Sequence, residues 1–275
     1  MKLGLSAGPN TIALAKETNI KGVPLNFTTL AEQGLRAAMK PIEEAGMEVC
    51  QIMAFSFNPL SPERAKQEKQ RQMLEQAIAM APETGCPILL INGGNYDPSG
   101  FRRGHGDNFT EAALDHAARE LAPVARLAES HGARLAIEPF IQCVVHSPER
   151  FLALQEKVGS PALTLNLDLC NFFTYEDMWR PKETAERICQ ALAGQYVVVH
   201  AKDLIVSEGV HIHIDETPLG AGVTDWDTAL RFIAKDLPAD GYVVVEHAKT
   251  AEAVRMGVQN IRLAAQRAGV RFVGE

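Results

Sequence analysis

Residues 241–247 read GYVVVEH, four large apolar side chains in succession and then a carboxylate. A strand apolar on both faces belongs in a covered parallel sheet, and a carboxylate closing such a strand is costly to bury unless a partner offsets it. Similar runs recur upstream: KLGLS at 2–6, MEVCQIMAF at 47–55, CPILLIN at 86–92, ARLAIE at 133–138, ALTLNLD at 162–168, YVVVH at 196–200 and HIHID at 211–215. With YVVVE at 242–246 they make eight predicted strands. Most are continuous rather than alternating in hydrophobicity, which predicts a parallel sheet covered by helices.

The intervening segments are long enough for helical crossovers. From 110 to 131, Leu114, Ala117, Ala118, Leu121, Val124, Ala125 and Ala128 fall on one stripe, which predicts an amphipathic helix. The tetrapeptide SPER occurs at 61–64 and 147–150 as a helix start, with serine able to cap and proline in the first turn. Gly46, Gly85, Gly132 and Gly159 read as stops. No linker or low-complexity break interrupts the alternation, so residues 1–275 read as a single domain of the α/β class, a (β/α)8 TIM barrel. The tight place is between His200 and His211, where ten residues cannot hold a loop, a helix and another loop. Either helix 6 is reduced or missing, or HIHID is a small hairpin rather than barrel strand 7. A doubly wound open sheet is the rival, and no G-x-G-x-x-G or Walker-type phosphate loop supports it.

Composition narrows the function. Of the 275 residues 46% are hydrophobic, and the formal net charge is −7 with no block of lysine and arginine, which argues against a nucleic-acid partner. No apolar run approaches the ~20 residues of a membrane span, and Met1-Lys2 is not followed by the apolar core of a signal peptide. A cytoplasmic protein acting on a small molecule, with a homo-oligomer left open, is the expectation. Cys50, Cys86, Cys143, Cys170 and Cys189 are odd in number and widely spaced, which predicts reduced core thiols rather than disulfides or a cysteine zinc site.

Four runs end on ligand-type residues: Glu138, Asp168, His200 and Glu246, on the fourth, fifth, sixth and eighth predicted strands. In a (β/α)8 barrel the active site lies at those C-terminal ends. Converging carboxylates repel without a cation between them, and oxygen donors with one imidazole suit Mn²⁺, Mg²⁺ or Co²⁺ better than a thiolate-rich zinc site does. A single such carboxylate is more often a cap or a salt-bridge partner. Four in the last position of four strands point to a metal.

LAIEPF, LNLDLCN, VVHAKD, PLGAGVTDW and GYVVVEH together resemble the xylose-isomerase-like barrel superfamily, in its branch of sugar phosphate isomerases and epimerases. The resemblance implies a (β/α)8 barrel holding a divalent metal through Glu138, Asp168, His200 and Glu246, with Mn²⁺ the first expectation and Mg²⁺, Co²⁺ or Zn²⁺ the alternatives. It also implies that Glu138 and Glu246 are catalytic, one removing the proton beside a carbonyl and the other returning one from the far face. The expected function is thus a divalent-metal-dependent sugar or cyclitol isomerase or epimerase working through a metal-stabilised enediolate. Two departures bear on substrate. Free-ketose epimerases usually carry a histidine three residues after the aspartate, where this chain has Asn171, and an arginine six residues after the histidine, where it has Val206. The H-x-K-D form made by His200, Lys202 and Asp203 is that of inosose-dehydratase-like relatives, so a metal-dependent lyase on the same scaffold is the alternative. An abasic-site endonuclease and a non-catalytic binding barrel are the remaining alternatives.

Further candidates carry weaker signals. Lys202 is a candidate for substrate contact or proton transfer, against a plain salt bridge. Asn171 stands where relatives read substrate. Asn58 and Asn95 are candidate substrate-binding amides, against turn formation, and His105 sits in the long loop NYDPSGFRRGHGDN, against a solvated histidine. His211 and His213 share a strand face as an alternative ligand pair, against a polar hairpin. Trp179 and Trp226 are candidates for the pocket mouth, against helix packing.

Overall fold

The computed structural model describes residues 1–274. Its strands are β1 (Lys2–Leu5), β2 (Gly22–Leu25), β3 (Glu48–Met53), β4 (Ile88–Asn92), β5 (Arg134–Glu138), β6 (Leu163–Asp168), β7 (Tyr196–Ala201), β8 (Asp203–Ser207), β9 (His213–Thr217) and β10 (Tyr242–Val245). The order β1-β10-β7-β6-β5-β4-β3-β2 closes a barrel, and β8 and β9 form a separate two-stranded sheet. The helices are α1 (Thr11–Glu17), α2 (Phe27–Gln33), α3 (Leu35–Glu44), α4 (Arg64–Met80), α5 (Glu111–Ser130), α6 (Pro148–Val158), α7 (Pro181–Ala191), α8 (Trp226–Asp236) and α9 (Ala251–Ala268). This is the (β/α)8 TIM barrel that the strand–helix alternation predicts.

The set of predicted strands needs one exchange. The segment 211–215 is not a barrel strand: β9 begins at His213 and pairs antiparallel with β8, Ser207 opposite His213. The hairpin alternative therefore holds, and the missing-helix alternative does not, since α7 precedes β7 and α8 precedes β10. The vacated barrel place belongs to β2, GVPL, which has only four residues and carries a proline with no N–H to donate. Accordingly Glu138, Asp168 and His200 lie on the fifth, sixth and seventh barrel strands, not the fourth, fifth and sixth.

The chain forms two compact units, Pro24–Leu167 and Met1–Val23 with Asp168–Glu275. In the first, β4 pairs with β5 so that Asn92 lies opposite Glu138, and β5 pairs with β6. Helix α5 buries the predicted stripe, Leu114, Ala117, Ala118, Leu121, Val124, Ala125 and Ala128, and Thr110 caps it by accepting from the Ala113 N–H. The two SPER tetrapeptides behave differently. Ser147 caps α6 with Pro148 in the first turn, as predicted. At 61–64 the prediction of a capped start fails: α4 begins only at Arg64, and Ser61 Oγ instead accepts from the Glu63 N–H within a turn.

In the second unit β1 pairs with β10 and β10 with β7, all parallel, with Val244 opposite His200 and Val245 opposite Ala201. β7 is buried along its whole length, which is why its sequence is apolar on both faces. The chain from 218 to 224 is gathered by one carboxylate. Buried Asp203 accepts from the N–H groups of Leu204 (3.0 Å) and Thr224 (2.9 Å) on Oδ1 and of Gly220 (3.0 Å) and Gly222 (3.2 Å) on Oδ2. Gly222 sits so close that an added Cβ would overlap the Asp203 carboxylate and the Leu204 carbonyl oxygen. All five cysteines are buried thiols, as expected. Among the described residues no helix is long and apolar enough to cross a membrane.

Candidate metal centre

Parallel register sets which side chains meet. Because Val245 lies opposite Ala201, the next residue, Glu246, donates its N–H to the Ala201 carbonyl at 3.1 Å. Its carboxylate then reaches the face of β7 that carries His200, with Lys202 just past the strand's end. Glu246 Oε2 lies 2.9 Å from His200 Nδ1, and Oε1 lies 3.2 Å from the Lys202 ammonium. The same ammonium stands 2.7 Å from Asp168 Oδ2, at the end of β6. Asp168 also accepts the Asn171 backbone N–H at 3.3 Å, so the first turn after the strand holds this carboxylate.

At the end of β5, Glu138 is buried and accepts from Asn166 Nδ2 at 3.0 Å. Asn166 is two residues before Asp168 and therefore shares its face of β6. Through that Nδ2 bond the amide orients Glu138. Outer partners of this kind are worth about 10–100-fold in metal affinity. For a divalent cation held by this cluster, Asn166→Leu should lower affinity by about that factor, measured by titration, and wild-type affinity would show that Glu138 needs no such support.

Glu138, Asp168, His200 and Glu246 are all buried, and one ligand atom from each lies within 4.8 Å of the others. Three carboxylates and an imidazole at that spacing are a donor set suited to one hard or borderline divalent cation, so the residues present fit such a group. The charge state agrees. Burial pushes the Glu246 carboxyl up, but the facing charges of His200 and Lys202, the contact with His200 and the neighbouring His247 outweigh it, and it is held well below the usual carboxylate range. An ionised carboxylate is the form that binds metal.

Two residues beside this cluster escaped sequence reasoning. His247 has φ 57, in the left-handed region unusual for a residue with a side chain. Its Nδ1 lies 2.7 Å from Glu216 Oε2 on β9, and its Nε2 lies 3.4 Å from Glu246 Oε1. Burial lowers the His247 pKa, yet the bond to Glu216 and the charge of Glu246 raise it on balance. The bond from His247 lowers that of Glu216. Glu216 Oε1 is in turn 3.7 Å from the Lys202 ammonium.

The weaker candidates find other places. Asn58 and Asn95 are buried, and their polar groups serve loops: Asn58 Nδ2 donates to the Asn95 carbonyl at 2.8 Å and its Oδ1 accepts the Asn95 N–H at 3.0 Å. Asn95 Nδ2 donates to the carbonyls of Gly100 and Arg103, and its Oδ1 accepts from Asn108 Nδ2. His105 is exposed, its Nδ1 accepting from the Asp107 N–H at 3.2 Å. His211 and His213 are exposed on or beside the hairpin and do not belong to the metal-type cluster. Trp226 is buried and donates its indole N–H to the Lys202 carbonyl at 3.0 Å, whereas Trp179 is 63% exposed and packs edge-on against Tyr175.

A closed parallel barrel carries, at the ends of its strands, four buried ligand-type side chains that could hold a metal ion. The match to family models is consistent with this: residues 12–267 fit the xylose isomerase-like TIM barrel, and the chain belongs to that family. Among solved structures it is similar to a D-tagatose 3-epimerase-like protein (17% identity, TM-score 0.74, 98% of each chain covered). A xylose isomerase-like TIM barrel protein from Mycobacterium smegmatis in complex with magnesium matches at 14% identity and TM-score 0.72, over 94% of this chain and 88% of that one. A probable 3-DHS dehydratase from Bacillus anthracis, involved in petrobactin synthesis, matches at 15% identity and TM-score 0.68, over 94% and 98%. At these identities the likeness is one of fold. No curated protein matches the sequence.

Proposed function

We propose that this protein is a divalent-metal-dependent isomerase or epimerase acting on a sugar or cyclitol by proton transfer next to a carbonyl, its 275 residues forming one barrel domain. The observation that carries the reading is the buried cluster in which two glutamates, an aspartate and a histidine offer ligand atoms within 4.8 Å of one another. In this reading Glu138, Asp168, His200 and Glu246 hold the cation, Mn²⁺ being the first to test. When bound, the cation supplies Lewis acidity toward a carbonyl oxygen, which makes the adjacent C–H more acidic. Glu138 and Glu246 stand on different strands, so one carboxylate takes the proton from carbon and the other returns one to the opposite face. Asn166 orients Glu138, and His200 stands 2.9 Å from Glu246.

Lys202 favours a second reading. A buried ammonium 3.2 Å from a candidate base can protonate a departing hydroxyl or aglycone, which would turn the same first step into elimination by a lyase. The solved structures similar in fold include both an epimerase-like protein and a probable dehydratase.

The test is a screen of ketoses, keto-sugars and inososes in D₂O with Mn²⁺, followed by NMR. Deuterium next to a carbonyl in recovered substrate or in its epimer is the expected result, and loss of water or of an aglycone would select the lyase. Absence of exchange and of elimination across these three classes, in protein shown to carry Mn²⁺, would overturn the reading.

A further inference from the structure

We propose that Lys202 is an internal cation competing with the metal for Asp168 and Glu246, and that Glu216 on the β8–β9 hairpin is the positioning residue that receives its ammonium. The inference rests on the metal reading above and deepens it. Lys202 is 1% exposed, and its ammonium contacts two carboxylates, Asp168 at 2.7 Å and Glu246 at 3.2 Å, with a third, Glu216, standing off at 3.7 Å. Among the described residues the first two belong to the cluster of metal-type ligands and the third does not. An ammonium and a dication drawn to the same two carboxylates repel each other strongly in a buried site. Lysine has a flexible four-carbon stem and a charge that binds in any direction, so its head can leave those oxygens without leaving the site, provided another anion is near.

Glu216 is that anion. Its Oε1 lies just beyond hydrogen-bond reach of the ammonium, so a small shift makes the bond. Its other oxygen is held at 2.7 Å by His247, which fixes the carboxylate beside Lys202. His247 adopts its unusual backbone conformation directly after Glu246, and its ring spans Glu246 and Glu216. The hairpin thereby gives the lysine two stations, one on the ligand carboxylates and one on Glu216.

A double-mutant cycle on the full chain tests this, with Mn²⁺ affinity read from the free Mn²⁺ EPR signal. Lys202→Met should tighten Mn²⁺ binding about tenfold, since the competitor is gone. Glu216→Gln should weaken it by about three- to tenfold, because the ammonium then stays on Asp168 and Glu246. In the Lys202→Met background Glu216→Gln should have no effect. A Lys202→Met protein that binds Mn²⁺ no tighter than wild type overturns the competition, and a Glu216→Gln penalty that persists without the lysine overturns the role of Glu216. If Lys202→Met fails to fold, wild-type Mn²⁺ affinity in Glu216→Gln, a change on the exposed hairpin, is enough to overturn the proposal. Failure of the metal reading itself is distinct: the wild-type protein would then take up no Mn²⁺ at all.

Discussion

Glu246→Gln should reduce solvent-proton exchange into substrate by about 10²–10⁴-fold at saturating Mn²⁺, the range that a positioned general base or acid contributes. The substitution keeps the size of the side chain but only one of its two oxygens, so an acceptor remains for either His200 (2.9 Å from Oε2) or Lys202 (3.2 Å from Oε1), and the other contact meets an NH₂ group. What it removes is the charge. An amide cannot take a proton from carbon at neutral pH, whereas the Glu246 carboxylate, despite the upward push of burial, is kept ionised by the facing His200 and Lys202. Saturating metal separates the loss of the base from the weaker ligand that glutamine makes. Exchange at the wild-type rate in metal-loaded Glu246→Gln would place the base elsewhere, with Glu138 the other glutamate of the cluster.

Asp203→Ala should cost about 2–5 kcal/mol of folding stability, since each buried N–H group left without an acceptor costs about 1–3 kcal/mol. Removing the carboxylate leaves the N–H groups of Leu204, Gly220, Gly222 and Thr224 without their acceptor, and those of buried Leu204 and Thr224 lose their full hydration energy, whereas Gly220 and Gly222 are open enough for water. In a protein of this size each kcal/mol moves the melting temperature by about 2–4 °C, so thermal unfolding should shift by about 10 °C. Asp203→Asn should also destabilise, because its NH₂ group would face N–H donors where a carboxylate oxygen stood. The loop concerned leads to Trp226, whose indole holds the Lys202 carbonyl at 3.0 Å, so the loss should reach the metal cluster as weaker Mn²⁺ binding. Stability within about 0.5 kcal/mol of wild type in the alanine variant, as expected of an ordinary surface change, would show that water replaces the carboxylate without penalty.

What could be read from the chain were features with a local cause. A parallel strand buried on both faces must be apolar at every position until it emerges at the end of the barrel. The polar residue that ends YVVVH, LNLD or LAIE therefore announces both a strand and its exit. Helix α5 was legible for the same reason, since one buried stripe repeats every turn. The strand GVPL was not: four residues and a proline do not make a run, and missing it put HIHID in its place and shifted the numbering of the strands by one. Asp203 was visible as a residue but not as the acceptor of four N–H groups, three of which come from 17 to 21 positions further along.

The sequence alone determined the α/β alternation, the barrel and the identity of the four ligand-type residues, because hydrophobic periodicity is dictated by backbone geometry over a few residues. Tertiary structure decided that their donor atoms gather within 4.8 Å, that Asn166 supports Glu138, and that a hairpin carries Glu216 to Lys202 and His247. Asn166 and Glu138 are 28 positions apart, Glu216 and His247 are 31 apart, and Glu216 meets Lys202 across a hairpin. Nothing in the local chain sets such distances, since they follow from parallel register and from how the hairpin folds back.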